Sequence, residues 1–186
     1  MTMEFNRGQF ESAARFAAFV IVDPCKDCLS FGLGPDRSVP AGIVSNARRA
    51  LAHARSLGLP VALVRSQGNQ AAWLKGFEPR REDAVLLRTA PSCYSNLFFD
   101  ETVQSAAGHI VLCGFPGRGG CIATVSGAIH AGHSVTVLRD ATLDDAADPV
   151  AGSLLRHLTS YVDFEVAAIS TSAWISSEGV PELRGK

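Results

Sequence analysis

HIVLCGFPGRGGCIATVSGAIHAG, residues 109–132, is the stretch on which the rest of the chain depends. A short apolar run, Ile110 to Cys113, gives way to a loop rich in glycine and proline, Gly114 to Gly120, and then to a periodic segment that starts at Cys121. Ile122, Val125, Ala128 and Ile129 fall on one helical face, and Gly132 stands where a C′ glycine would end the helix. The reading is strand, glycine-rich loop, helix. Cys121 then occupies the first helical turn, where the positive end of the helix dipole favours a thiolate and backbone N–H groups can meet a developing oxyanion. Taken alone, the stretch is equally compatible with a small buried cysteine and glycines that only make a turn.

Composition narrows the choices. The chain has 186 residues, 47% of them apolar, which suits a single domain over residues 1–186 with residues 1–15 as a polar lead-in. Seventeen basic against eighteen acidic residues give a net charge of −1 without long runs of like charge, so neither nucleic acid nor a membrane surface is expected as a partner. The longest apolar run, Phe16 to Val22, is far shorter than the ~20 residues of a membrane helix, and no leader pattern opens the chain. A cytoplasmic protein is expected. Its five cysteines are odd in number and too sparse for a disulfide framework, so reduced thiols are expected. Cys25 and Cys28 form a C-x-x-C, which raises a redox motif or half a zinc site, but no second Cys/His pair at ligand spacing follows.

Phe16 to Val22 reads as a strand buried on both faces and ends at Asp23, a candidate base if the strand lies in an open parallel sheet. Residues 29–40 read as a loop, a candidate lid or pocket wall carrying Phe31. A helix follows from Ala41 to Leu57, then a strand Pro60 to Arg65, an irregular stretch Ser66 to Asp83 with Trp73 and Phe77, and a strand Ala84 to Arg88. Turn-rich sequence to Ser95 leads into a helix from Asn96 to Ala107. Beyond Gly132 come a strand to Arg139, a helix 148–161, a strand Phe164 to Ile169 and a short helix. Strands alternating with helices imply a three-layer α/β/α sandwich around a central, mostly parallel six-stranded sheet.

Asp23, Arg88 and the Cys121 loop thus bring three complementary groups to strand ends. The segments that carry them, Ile21-Val-Asp-Pro-Cys-Lys-Asp-Cys28, Arg88-Thr-Ala-Pro-Ser-Cys-Tyr94 and Gly114-Phe-Pro-Gly-Arg-Gly-Gly-Cys121, resemble those of the isochorismatase-like cysteine hydrolases. That superfamily includes nicotinamidases, N-carbamoylsarcosine amidases and ureidoacrylate hydrolases. The resemblance runs from about Phe16 to Ala173. It implies a triad in which Asp23 takes the thiol proton, Cys121 attacks a carbonyl to give an acyl-enzyme, and a cation at position 88 supports the pair. Lysine is usual there. Arg88 keeps the charge but cannot shuttle a proton. Two more departures are a loop one residue longer between Gly114 and Cys121, and Cys25 in place of a glutamine.

The resemblance also implies a small-molecule substrate with an amide or ureide C–N bond, a homo-oligomer (dimer or tetramer), and no cofactor. The nicotinamidase branch often binds zinc through an Asp-x-His and a second histidine, but between Leu29 and Arg88 only His53 is present, so no metal is expected. Phe31, Trp73 and Tyr94 are candidate substrate contacts. In the nucleophile loop, Phe115–Pro116 is expected to be cis, which would place oxyanion donors at the Gly120 and Cys121 N–H groups. Two other readings stay open. A nucleotide-binding module is disfavoured because Gly114 to Gly120 matches neither phosphate-loop pattern. A catalytically silent interaction protein would account for Arg88 and the longer loop.

Overall fold

Ala18–Val22 form β1, and all five side chains are buried because the strand lies in the middle of a sheet covered on both faces. The computed structural model describes residues 17–29, 41–106, 108–116, 119–143 and 166–177. The other strands are β2 (Val61–Ser66), β3 (Ala84–Arg88), β4 (His109–Gly114), β5 (Ser134–Thr142) and β6 (Val166–Ile169). They lie in the order β3-β2-β1-β4-β5-β6, and every neighbouring pair is parallel. The expected sheet is therefore present, and parallel throughout.

On one face, Ala47, Ala50, Leu51 and Ala54 of α1 (Ala41–Ser56) and Trp174 of α4 (Thr171–Ser176) pack onto Phe19, Ile21, Leu63 and Leu138. On the other, Phe99 and Val103 of α2 (Leu97–Gln104) and Val125 and Ala128 of α3 (Gly120–His130) pack onto Val20, Val64, Leu112 and Val137. Helices thus cover both faces, as the alternating pattern implied. The strand order reverses between β1 and β4, and in such sheets the crevice outside the strand carboxyl ends at that point is the usual ligand site.

Boundaries differ from the sequence reading where tertiary contacts decide them. Asn96 is the N-cap of α2, its side chain accepting from the Phe98 N–H, and the helix stops at Gln104 rather than Ala107. β5 runs past Arg139 to Thr142, because after an irregularity in register Gly114 pairs with Thr142 and accepts from the Leu143 N–H. The end of α3 follows expectation: with Gly132 at φ +75, the His133 N–H bonds to Ala128 and the Gly132 N–H to Ile129. The expected helix 148–161, the lead-in 1–15 and the loop beyond Leu29 lie outside the described residues. Among those described, no helix is long and apolar enough to cross a membrane.

Gly114 sets the approach of β4 to β1. It sits at φ +140, and a Cβ there would stand 2.2 Å from the Val22 carbonyl oxygen. No side chain can occupy that space unless the two strands part. Gly114→Ala is expected to lower stability by about 3 kcal/mol, read as a fall in the urea midpoint. An unchanged midpoint would contradict this account of the junction.

His109, at the opposite end of β4, bonds through Nδ1 to Ser134 and through Nε2 to Thr136, and burial pushes its pKa down to about 4 from 6.5. The unfolded chain then binds a proton below pH ~6.5 that the folded chain refuses down to ~4. Stability therefore drops as the pH is lowered across that window, by about 1.4 kcal/mol per unit. His109→Gln is expected to shrink the difference in unfolding free energy between pH 7 and pH 5 by about 2 kcal/mol; equal pH slopes for the two proteins would refute it.

Candidate active site

Three neighbouring strands present polar groups at their carboxyl ends. Asp23 follows β1 directly, Ser66 is the last residue of β2, and Arg88 is the last of β3. Register places them side by side, with Val22 opposite Val64 and Ser66 opposite Arg88. The Asp23 N–H still continues the ladder to the Val64 carbonyl, but its backbone then turns at φ +52, a left-handed conformation that costs about 1–3 kcal/mol for a non-glycine residue. Aspartate is among the residues that tolerate it best.

Asp23 is 3% exposed and Arg88 7%. The Arg88 Nη2 donates to Asp23 Oδ2 at 2.5 Å, while Nη1 donates to the carbonyls of Ala90 at 3.1 Å and Pro91 at 2.6 Å. On its other oxygen, Oδ1, Asp23 accepts from the Ser66 N–H at 2.9 Å. The Ser66 hydroxyl lies 3.4 and 3.5 Å from the two carboxylate oxygens. The carboxylate is thus held from both sides, and the guanidinium fork is fixed by carbonyls that leave it little freedom.

Cys121 is the second residue of α3 and is buried. A Cβ added to Gly120 would stand 2.6 Å from Pro116 Cβ and 3.5 Å from Arg88 Nη1, so the guanidinium lies against the helix residue that precedes Cys121. Only a glycine lets Pro116 and Arg88 approach the helix start this closely. Cys93 is buried in the same cluster, its N–H bonded to Thr124 Oγ1. Burial pushes the Cys93 thiol up to about 12, with Thr124 and the Arg88 charge pulling the other way. Cys93 is accordingly an inert thiol beside the charged pair.

Several expected residues lie elsewhere. No peptide bond among the described residues is cis, so Phe115–Pro116 is trans. The turn is made instead by Gly114, and the Phe115 N–H is tied to the Val22 carbonyl at 2.8 Å. With the cis bond goes the argument that placed oxyanion donors at Gly120 and Cys121. Phe115 is a fully buried core residue, edge-on to Phe77. The Tyr94 ring fills the space over Gly127 of α3 and packs on Phe99, and its hydroxyl bonds His133 Nδ1 at 2.7 Å, toward the amino end of β5. Tyr94 therefore points away from the strand carboxyl ends, toward the amino end of the sheet. Trp73 does lie beside the Asp23 segment: its backbone bridges Cys25, and the Arg65 guanidinium sits 5.1 Å over its ring. Phe31 lies outside the described residues. Ser66 was missed by the sequence reading, which ended the strand one residue early; a polar residue closing a buried run next to a strand that ends in aspartate was the available signal.

The sequence matches the family model described as Isochorismatase domain over residues 17–162. Among similar solved structures is an isochorismatase of Pseudomonas putida KT2440, with 23% identity, a TM-score of 0.71, and coverage of 86% of this chain and 90% of that one. A cysteine hydrolase of Pseudomonas syringae pv. phaseolicola is similar at 17% identity and a TM-score of 0.68, covering 89% and 93%. An N-carbamoylsarcosine amidase of Thermoplasma acidophilum is similar at 18% identity and a TM-score of 0.64, covering 83% and 96%. At these identities the likeness shows a shared fold. A search of curated protein sequences gives no significant match.

Proposed function

The chain belongs to the isochorismatase family, and on that premise we propose that it is a cysteine-dependent hydrolase of a C–N bond, an amide, ureide or carbamate, in a small molecule. The observation that carries the reading is the buried Asp23–Arg88 pair set against the first turn of the helix that holds Cys121. A carboxylate, a fixed cation and a thiol at a helix N-terminus are the parts that nucleophilic acyl transfer needs.

In this mechanism Asp23 takes the proton of the Cys121 thiol. Arg88 and Ser66 engage one lone pair on each carboxylate oxygen and leave the others for the proton. The Cys121 sulfur attacks the carbonyl carbon, the C–N bond breaks, and the leaving nitrogen receives the proton from Asp23. A water then gives its proton to Asp23 and attacks the thioester, and the thiol is restored as the acid product departs. Arg88 contributes charge and orientation, since a guanidinium does not give up its proton. The positive end of α3 favours negative charge on the sulfur and on the tetrahedral oxygen.

A cysteine at this position favours C–N over vinyl ether cleavage, because thiol attack needs a carbonyl carbon. The amidase among the fold relatives supports the same class. The experiment is a screen of small amides, ureides and carbamates for ammonia or amine release, run in parallel with Cys121→Ser. Release that depends on Cys121 is expected. If no compound turns over and Cys121 alkylates no faster than an ordinary thiol, the catalytically silent reading replaces this one.

A further inference from the structure

A second pair of reactive groups lies beside the site and has no part in the reaction above. Cys25 and Cys28 are joined by the single 3-10 turn Lys26–Leu29, which puts residues three apart on the same side. The Cys28 N–H donates to the Cys25 carbonyl at 3.1 Å, which closes the turn and sets the two residues beside each other. Both are buried, Cys25 fully and Cys28 with 6% of its surface exposed. The neighbouring Cys28 thiol lowers the Cys25 thiol pKa, against burial and the Asp23 charge, and Arg65 adds to the effect. The Cys25 thiol and burial push the Cys28 pKa up. Two thiols three positions apart on one closed turn, both buried, with the second held by the Asn69 amide, have the arrangement of an attacking and a resolving cysteine. Among the described residues no third His, Cys, Asp or Glu joins the pair in a group that could hold a metal ion.

Two routes connect this pair to Asp23. The Cys25 N–H donates to the Asp23 carbonyl at 2.8 Å. The Asn69 amide donates to the Cys28 sulfur at 3.3 Å, the Asn69 N–H donates to the Ser66 carbonyl at 3.1 Å, and the Ser66 N–H holds the Asp23 carboxylate. Whatever moves the Cys28 sulfur therefore pulls on the turn that positions the carboxylate.

We propose that Cys25 and Cys28 are a reversible oxidation site, closed to a disulfide by hydrogen peroxide or another small hydroperoxide, and that closure disturbs Asp23 and slows the reaction of Cys121. The Cys25 sulfur attacks one peroxide oxygen, the O–O bond breaks, the departing oxygen takes up a proton, and Cys25 becomes a sulfenic acid. The Cys28 sulfur then attacks the Cys25 sulfur, and the sulfenic oxygen leaves as water with the Cys28 proton. Two thiols and one hydroperoxide give a disulfide, an alcohol or water, and a further water, with two electrons passing from the sulfurs to the peroxide. Drawing the sulfurs to about 2 Å takes Cys28 away from the Asn69 amide. Burial favours small oxidants over protein oxidoreductases, and a small dithiol reverses the bond by exchange.

The test uses the full chain, reduced, treated with hydrogen peroxide, blocked with N-ethylmaleimide and cut with trypsin, which cleaves after Lys26. Expected is a peptide of residues 16–26 joined to residues 27–37, about 2 Da lighter than the two thiol peptides together, and lost on treatment with dithiothreitol. It should form equally in Cys121→Ser and be absent from Cys28→Ser, where dimedone labels Cys25 instead. In the wild type, oxidation should lower the rate of Cys121 alkylation by iodoacetamide at least about tenfold, toward the ~hundredfold that a 1 Å misplacement of a catalytic group can cost. Dithiothreitol should restore it, and the same peroxide treatment should leave the Cys28→Ser rate unchanged. Absence of the joined peptide overturns the oxidation site, and an equal fall in Cys28→Ser overturns its coupling to Asp23. The alkylation readout rests on Cys121 being the nucleophile, whereas the joined peptide does not, so the two failures are distinguishable.

Discussion

Cys121→Ser will fold like the wild type and lose roughly a thousandfold or more in kcat on whatever amide or ureide the protein hydrolyses. A serine hydroxyl is isosteric enough for the first turn of α3. Its proton, however, is far harder to remove than a thiol proton. The stability change should stay near about 1 kcal/mol, the scale of placing a hydroxyl in a buried site that offers it a partner. The measurement is kcat beside a thermal melt. Activity within tenfold of the wild type would remove Cys121 from the mechanism, while collapse of the fold would make the kinetic value uninformative and shift the test to Cys121→Ala.

The next largest effect is expected at Arg88, and on two observables at once. Arg88→Ala removes the cation from a carboxylate that is 3% exposed, which leaves a buried charge uncompensated. Breaking such a pair costs about 3–5 kcal/mol. It also strips the positive charge from beside the start of α3, so kcat should fall with stability. Arg88→Lys keeps the charge and restores the family's usual residue, and should retain most of the activity or raise it. Some stability is lost even so, because an ammonium does not reproduce the fork that reaches Asp23, Ala90 and Pro91 together. Unfolding free energies and kcat for both variants check this. If Arg88→Ala is as active as the wild type, the guanidinium serves only the fold.

β1 and β4 were legible because a buried parallel strand reads as an apolar run, and those runs end at or beside Asp23 and Gly114. The edge strand β3 is an apolar run that ends at Arg88 although its Val85 and Leu87 are exposed. The adjacency of the strand ends was not legible in the same way: register pairs Ser66 with Arg88, and no local pattern encodes register. Ser66 escaped notice for a further reason, since its best contact to Asp23 is a backbone N–H that almost any residue would supply. Tyr94 was misplaced because its direction depends on a gap over Gly127, more than thirty positions away in sequence. The cis bond was expected from proline chemistry at Pro116, whereas the turn is made at Gly114, where the Val22 backbone leaves no room for a side chain. The C-x-x-C was visible from the start, but its relation to Asp23 runs through Asn69 and Ser66 and exists only in the folded chain.

The central claim is that Cys121 is an activated thiol served by the Asp23–Arg88 pair. Its most direct test is the rate of Cys121 alkylation by iodoacetamide as a function of pH, followed by peptide mass spectrometry in the wild type, Arg88→Ala and Arg88→Lys. The wild-type profile is predicted to rise at a pH clearly below the ~8.5 of a free thiol, to move upward in Arg88→Ala, and to return in Arg88→Lys. Coincident profiles for all three proteins, rising at or above the free-thiol value, would contradict it.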